Sequence, residues 1–284
     1  MSDYENRPVP EGINYSQANP LKEFAWLVLA VIGAVMALLL LLSVLAKFLT
    51  PLIPFSVEQR LAEQMLTRVP TPVLSESQLQ KQQYLRDLAA QLLAHQPLPE
   101  GMTLTVHYGP SSTVNAFATL GGHIFILEGL IEKMPSENAL AMVLAHEIAH
   151  ILHRDPIVAL GRGVTVSLAL MSLTGLANSS AMDWLLQQMG FVTVTRFTRE
   201  QERAADERAL RMLQAHYGNV AGAERIFEVF ADRVDGREPP AFLATHPQNS
   251  ARIERIREFA RTHPQRGQPQ ALPEIVTRTE TEDP

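Results

Sequence analysis

His146-Glu147-Ile148-Ala149-His150 sets two imidazoles four residues apart, with a carboxylate beside the first. On an α-helix, residues i and i+4 share a face about one turn apart, so both rings can reach a single cation. Glu147 can then address a water bound to that cation, and the three side chains together spell metal-assisted hydrolysis with a general base. So short a pattern also arises by chance. The flanking sequence must therefore supply a helix and further ligands.

The helix is supplied. Pro135-Ser136-Glu137 reads as a start, with Ser136 as N-cap and an acid in the first turn. Leu140, Val143, Leu144 and Ile148 continue it, and it is expected to run to Asp155, where Pro156 stops it. A catalytic metal takes three protein ligands and keeps one position open. The chain has no cysteine, so the ligands must be His, Asp or Glu. The metzincin pattern needs glycine at 153 and histidine at 156, where this chain has His153 and Pro156. His153 lies about 10 Å beyond His146 along the axis and is read as a supporting or solvent residue.

No acid occurs between Asp155 and Asp183, and the next are Glu200, Glu202, Asp206 and Glu207. Glu202 and Asp206 are an i, i+4 pair beside Ala204 and Ala205, which permit close helix packing. One carboxylate could bind a metal while the other orients a histidine. The competing reading is a charged surface, with Arg199, Arg203 and Arg208 in ion pairs. Glu200, Arg203 and Glu207 fit that exposed face better than Glu202 does.

The 284 residues are 46% hydrophobic, enough for a buried core, with 24 basic and 30 acidic residues and a net charge of −6. No basic run appears, which argues against nucleic acid as a partner. Phe24 to Ala46 runs 23 residues without a charge. At 1.5 Å per residue that is roughly 35 Å, sufficient for a single transmembrane helix in the lipid bilayer. Arg7 and Lys22 before it nearly balance Lys47, Arg60 and Arg68 after it. The reading adopted is a signal anchor in the cell (inner) membrane, with the domain on the periplasmic or outer side.

The elements around the motif follow in order. Residues 1–23 read as a flexible tail, and 47–74 as linker plus a short helix over Ser56–Arg68, with Ser56 and Gln59 as a capping box. Val69-Pro70-Thr71-Pro72 is a stiff linker. Ser75 to His95 is an amphipathic helix buried through Leu85, Leu88, Leu92 and Leu93, with Ser75 and Gln78 at its start. Thr103–Tyr108 and His123–Leu127 read as strands, the second opened by Gly121-Gly122. The apolar stretch over 163–177 is too short for a full span; it reads as a buried or dimer-forming helix, or as a segment dipping into the bilayer surface. Helices are expected over Arg199–Ala215, Val220–Val234 and Ser250–Arg261, and residues 263–284 read as a disordered tail. The fold class is α+β, mainly helical, with a small sheet.

HEIAH, the ExxxD run Glu202-Arg203-Ala204-Ala205-Asp206, Asn115-Ala116-Phe117-Ala118, and Thr245-His246-Pro247 followed by Arg252-Ile253 together resemble the HtpX and OMA type of membrane-associated zinc metallopeptidase. That family includes the CAAX prenyl proteases. The resemblance spans roughly residues 75–262 and implies a zincin-like domain with one Zn2+ per subunit. By it, His146, His150 and Glu202 are metal ligands, Glu147 is the general base, and Asp206 supports a ligand. His246 lies over the metal, as a transition-state donor or a reversible plug. Asn115, Gly122, Ile124 and Arg252 become substrate-binding residues, with Gly121–Leu127 as an active-site edge strand. The implied activity is endopeptidase cleavage of protein or peptide substrates in quality control. A membrane-tethered chaperone or binding module on the same fold is the alternative. Homo-oligomerisation stays open.

Overall fold

The computed structural model of the chain describes residues 19–49, 52–68, 72–163, 197–225, 241–246 and 250–277. The tail over 1–18, the linker over 69–71, the apolar stretch from 164 and the helix expected through 226–234 lie outside the described residues. Helix α1 (Pro20–Leu49) extends past the expected span at both ends. Its Pro20–Leu42 stretch has mean hydropathy 2.9 and none of it is buried, so it is long and apolar enough to cross a membrane.

Helix α2 (Phe55–Leu66) starts at Pro54 without a side-chain cap, which corrects the Ser56–Gln59 capping box. Gln59 spends its amide elsewhere, donating to Thr103 Oγ1 at 3.0 Å. Helix α3 (Glu76–Leu93) has the reciprocal Ser75–Gln78 box that its sequence announces. Its Leu85, Leu88 and Leu92 are buried, each worth about 1.5–3 kcal/mol of burial.

Three strands follow: β1 (Thr105–Gly109), β2 (Ala116–Thr119) and β3 (His123–Leu127). Their order is β1-β3-β2, with β3 parallel to β1 and antiparallel to β2. The central strand is therefore β3, and the expectation that Gly121–Leu127 forms an edge is corrected: among the described residues β1 and β2 are the edges. Strand β2 escapes a propensity reading because Ala116 and Ala118 lack the β-branched or aromatic side chains that mark strands. Gly121 and Gly122, at φ 70° and 82°, make the tight link from β2 to β3.

After the short α4 (Glu128–Ile131), helix α5 (Glu137–Leu152) starts on Ser136, whose hydroxyl accepts from the Ala139 N–H. It ends at Leu152 rather than Asp155. Arg154 takes φ 59°, which breaks the helix, and Pro156 stands in the first turn of a new helical stretch over 155–163, where its missing N–H costs nothing. Every residue of α5 from Asn138 to Ile151 is buried. Against it lies α6 (Arg199–Tyr217), begun by a Thr198–Gln201 capping box and ended by Gly218 at φ 71°. Ala145 and Ala149 of α5 and Ala205 and Ala209 of α6 are fully buried, as a close approach of the two axes requires. Helices α7 (Ala241–Thr245), α8 (Ser250–Thr262) and α9 (Glu274–Thr277) complete the described chain. The result is a mainly helical α+β domain with a small mixed sheet.

The expected disorder of 263–284 is overturned as far as residue 277; 278–284 lie outside the described residues. This segment straps the N-terminal end of α5. The Gln270 N–H donates to Asn138 Oδ1 at 2.8 Å, and its carbonyl accepts from the Glu137 N–H at 2.9 Å. The Arg266 carbonyl accepts from Asn219 Nδ2 at 2.7 Å, and Val276 is buried. Backbone groups make most of these contacts, so a polar composition conceals them. Asn138→Ala should lower unfolding free energy by about 1–3 kcal/mol, because it strips a buried partner from the strap. Denaturant titration of the purified protein measures this, and a shift below about 0.5 kcal/mol would show the strap to be incidental.

Candidate metal centre

Helix α5 presents His146 and His150 one turn apart, and α6 brings Glu202 up to them. His150 Nε2 lies 3.0 Å from His146 Nε2. Glu202 Oε2 is 3.4 Å from His146 Nε2, and Oε1 is 3.5 Å from His150 Nε2. A fourth donor comes from the end of α7: His246 Nδ1 is 3.2 Å from His146 Nε2 and 2.9 Å from Glu202 Oε1. Ligand atoms of all four residues lie within 4.8 Å of one another, and all four side chains are buried. Tetrahedral bonds of about 2.0–2.1 Å place neighbouring donors about 3.3–3.4 Å apart, so this cage has the dimensions of one divalent-cation site.

The surrounding charges favour a cation. Burial works against a protonated His146, yet the Asp206 and Glu202 carboxylates outweigh it and push its pKa up to about 10. His150 is likewise raised against burial, by Asp155 first and then Glu202. Burial would raise the Glu202 carboxyl, but His246, His146 and His150 hold it far below the usual carboxylate range. Asp206 is also kept low against burial, chiefly by Arg252 and then His146. For His246 burial prevails over Glu147 and Glu202 and favours the neutral ring that a ligand needs.

Each donor has a support. His146 Nδ1 lies 3.1 Å from Asp206 Oδ1. His150 Nδ1 lies 2.7 Å from Asp155 Oδ2, whose other oxygen accepts from Gln201 Nε2 at 2.5 Å. Such carboxylates fix the ring orientation and raise the basicity of the ligating nitrogen. Asp155, which by sequence marks only a helix end, joins the cluster through His150; its position five residues after His150 signals this only once the Arg154 break is known. Phe197 stacks on His150 with centroids 3.9 Å apart, and Phe242 on His246 at 4.7 Å, closing the cluster with apolar rings. Neither aromatic carries a sequence signal for this position.

Glu147 stands beside the cage, fully buried. The Ala118 N–H of β2 donates to its Oε2 at 2.7 Å. Oε1 lies 3.4 Å from His246 Nε2 and accepts no hydrogen bond among the described residues, so it can take up a proton. His153 caps α5 with Nδ1 4.0 Å from Asp155 Oδ2, and stays outside the cage.

The substrate-binding expectations fare differently. Arg252 is neither a surface cation nor open to a peptide. It is 2% exposed, its Nε and Nη2 donate to Asp206 at 2.8 and 2.7 Å, and Nη1 lies 2.9 Å from Glu202 Oε2. Gly122 and Ile124 lie inward: β3 is paired on both sides, Ile124 is fully buried, and a Cβ on Gly122 would meet the Thr103 carbonyl at 1.9 Å. Asn115 stands one residue before β2; its carbonyl accepts from the Leu127 N–H, and its Oδ1 is buried without a hydrogen-bond partner. Arg203 and Glu207 pair at 3.5 Å on the exposed face of α6, while Glu202 turns inward.

The mitochondrial metalloendopeptidase OMA1 of Schizosaccharomyces pombe is 29% identical over 182 residues, 63% of this chain and 49% of that protein. The β-barrel assembly-enhancing protease of Escherichia coli K12 is 27% identical over 194 residues, 63% of this chain and 38% of that protein. The metalloprotease LoiP of the same strain is 30% identical over 149 residues, 51% of this chain and 58% of that protein. The chain thus spans less than two thirds of each relative. A family model described as peptidase family M48 matches residues 77–260, the stretch that contains the paired histidines, Glu202, Asp206 and His246. The chain belongs to peptidase family M48.

Proposed function

We propose that this protein is a membrane-anchored zinc-dependent endopeptidase. The observation that carries the proposal is the four-donor cage, with Glu147 buried beside it and holding one oxygen free. His146, His150 and Glu202 are the three resident ligands, a set of neutral imidazoles and one carboxylate that suits Zn2+. A bound zinc ion would acidify a water molecule and polarise a carbonyl.

The protein's own groups do the rest. The Ala118 N–H fixes Glu147 Oε2, so that Oε1 accepts the water's proton and later passes it to the leaving amine. Asp206 and Asp155 hold the ligand rings, and Arg252 balances the charge of Glu202 and Asp206. A substrate strand would add to the free edge of β2, whose Ala118 N–H already faces the site. His246 fills the fourth donor position and acts as a plug; once displaced, it and Asn115 would face the developing oxyanion. The relatives' names, a metalloendopeptidase and an assembly-enhancing protease, support protein substrates; a role in quality control is part of the proposal. Helix α1 supports a single membrane span; placement in the inner membrane with the domain on the periplasmic or outer side is part of the proposal.

Elemental analysis paired with peptide or casein cleavage tests the proposal. Glu147→Gln should keep near-stoichiometric zinc and lose turnover; substantial cleavage by the purified variant would remove Glu147 from its role, and a wild type with zinc but no turnover would favour a chaperone. His246→Ala should keep its metal and raise basal cleavage of an unstructured peptide, whereas a fall in kcat would make it a catalytic donor. Asp155→Asn should weaken metal retention about 10–100-fold against a competing chelator, and unchanged retention would show that His150 needs no such support.

A further inference from the structure

One buried carboxylate takes no part in the chemistry above. Glu58 of α2 is 2% exposed, and it lies against two turns that are far apart in sequence. Arg154 Nε donates to Glu58 Oε1 at 2.7 Å and its Nη2 reaches the same oxygen, while Nη1 donates to the Ile53 carbonyl at 2.5 Å. The other turn packs against the backbone of Glu58: a Cβ added to Gly121 would lie 3.4 Å from the Glu58 carbonyl oxygen.

Both turns have left-handed backbone. Arg154 at φ 59° is the one non-glycine residue with positive φ among the described residues, a conformation that a Cβ disfavours. Gly121 at φ 70° lies directly on α2: an added Cβ would come within 2.8 Å of Ala62 Cβ and 3.1 Å of Gln59 Cα. Ala62, Leu120 and Ile157 form an apolar cluster separate from the main core, with Ile53, Leu61, Met65 and Leu160 packed on it. Helix α2 is thereby bonded to the domain through the Arg154 turn and packed onto it through the Gly121 turn.

Each turn adjoins a support of the metal centre. Gly121 follows Ala118 by three residues, and Ala118 holds Glu147. Arg154 immediately precedes Asp155, which holds His150. Five residues separate α1 from α2, six steps that reach at most about 22 Å, so the end of α1 lies within that distance of the start of α2.

We propose that α2 is a positioning element of the active site, and that Glu58 and Arg154 are the positioning residues that couple the membrane anchor to the edge strand β2 and to Asp155. The proposal rests on the peptidase reading above. On this view the anchor is no passive leash: displacing α2 shifts the Ala118 N–H from Glu147 without removing a metal ligand.

The test uses the full-length protein in detergent or nanodiscs, comparing wild type, Glu58→Ala, Arg154→Ala and the conservative Glu58→Gln, which keeps an acceptor for Arg154. Both alanine variants should lose about tenfold or more in kcat on an unstructured peptide, with KM within about threefold and zinc content at the wild-type level. Glu58→Gln should recover most of that loss. Amide exchange should quicken over residues 116–122 in the alanine variants. A kcat within about twofold of wild type would overturn the coupling, as would zinc lost in step with kcat or no recovery by Glu58→Gln, since either marks a merely structural role. Should the wild type not cleave at all, the peptidase reading fails, and exchange still decides the coupling: unchanged protection over 116–122 sinks it.

Discussion

Two carboxylates on one helix, both withdrawn from water, are the constraint around which the domain is arranged. Glu202 and Asp206 are 4% and 2% exposed, and an unpaired buried charge costs several kcal/mol. Their partners come from three other helices: the imidazoles of α5, His246 at the end of α7 and Arg252 on α8. Arg252 must itself be buried to serve both acids, so α8 is drawn over α6. The alanines between α5 and α6 let the acids reach the imidazoles. A well-packed apolar seam there would be at least as stable, so folding alone does not call for these charges. A divalent cation does.

The metal helix was legible because its signals are local. A capping serine, an apolar face and the i, i+4 histidines all fall within Ser136–His150. Glu202 was reachable by elimination among few acids, and by its contrast with the Arg203–Glu207 pair, but its ligand role needed the likeness of four ordered motifs. What stayed hidden depends on contacts between distant segments. Strand β2 is short and carries two alanines, so only its pairing with β3 reveals it, and the edge was assigned to the wrong strand. Arg252 looks like any helix-surface cation until α8 is packed. Asp155 was taken for a helix terminus because the left-handed Arg154, which turns it back towards His150, has no signature in residue type.

Glu147 shows how the sheet and the helix share one task. Its carboxylate is divided: the Ala118 N–H holds one oxygen, and the other faces the donor cage. An N–H at a sheet edge is normally left for solvent or a partner strand. Here Glu147 takes it, so on the proposed reading the strand that would guide a peptide also sets the angle of the group that would act as base. Any shift of β2 is therefore felt at the base.

Segments from both flanks of the domain secure the ends of α5. The C-terminal strap bonds Glu137 and Asn138 at its beginning, and α2 bonds Arg154 just past its end. Both clamps lie outside residues 77–260, the stretch that carries the family likeness. The matched stretch holds the four-residue donor cluster, Glu147 and Arg252, whereas the positions of the helix ends depend on segments beyond it. A ring nitrogen displaced by half an ångström no longer suits a 2 Å metal bond. Holding α5 at both termini is thus a geometric requirement of the metal centre, and it ties the chemistry to the short connection between this domain and its apolar span.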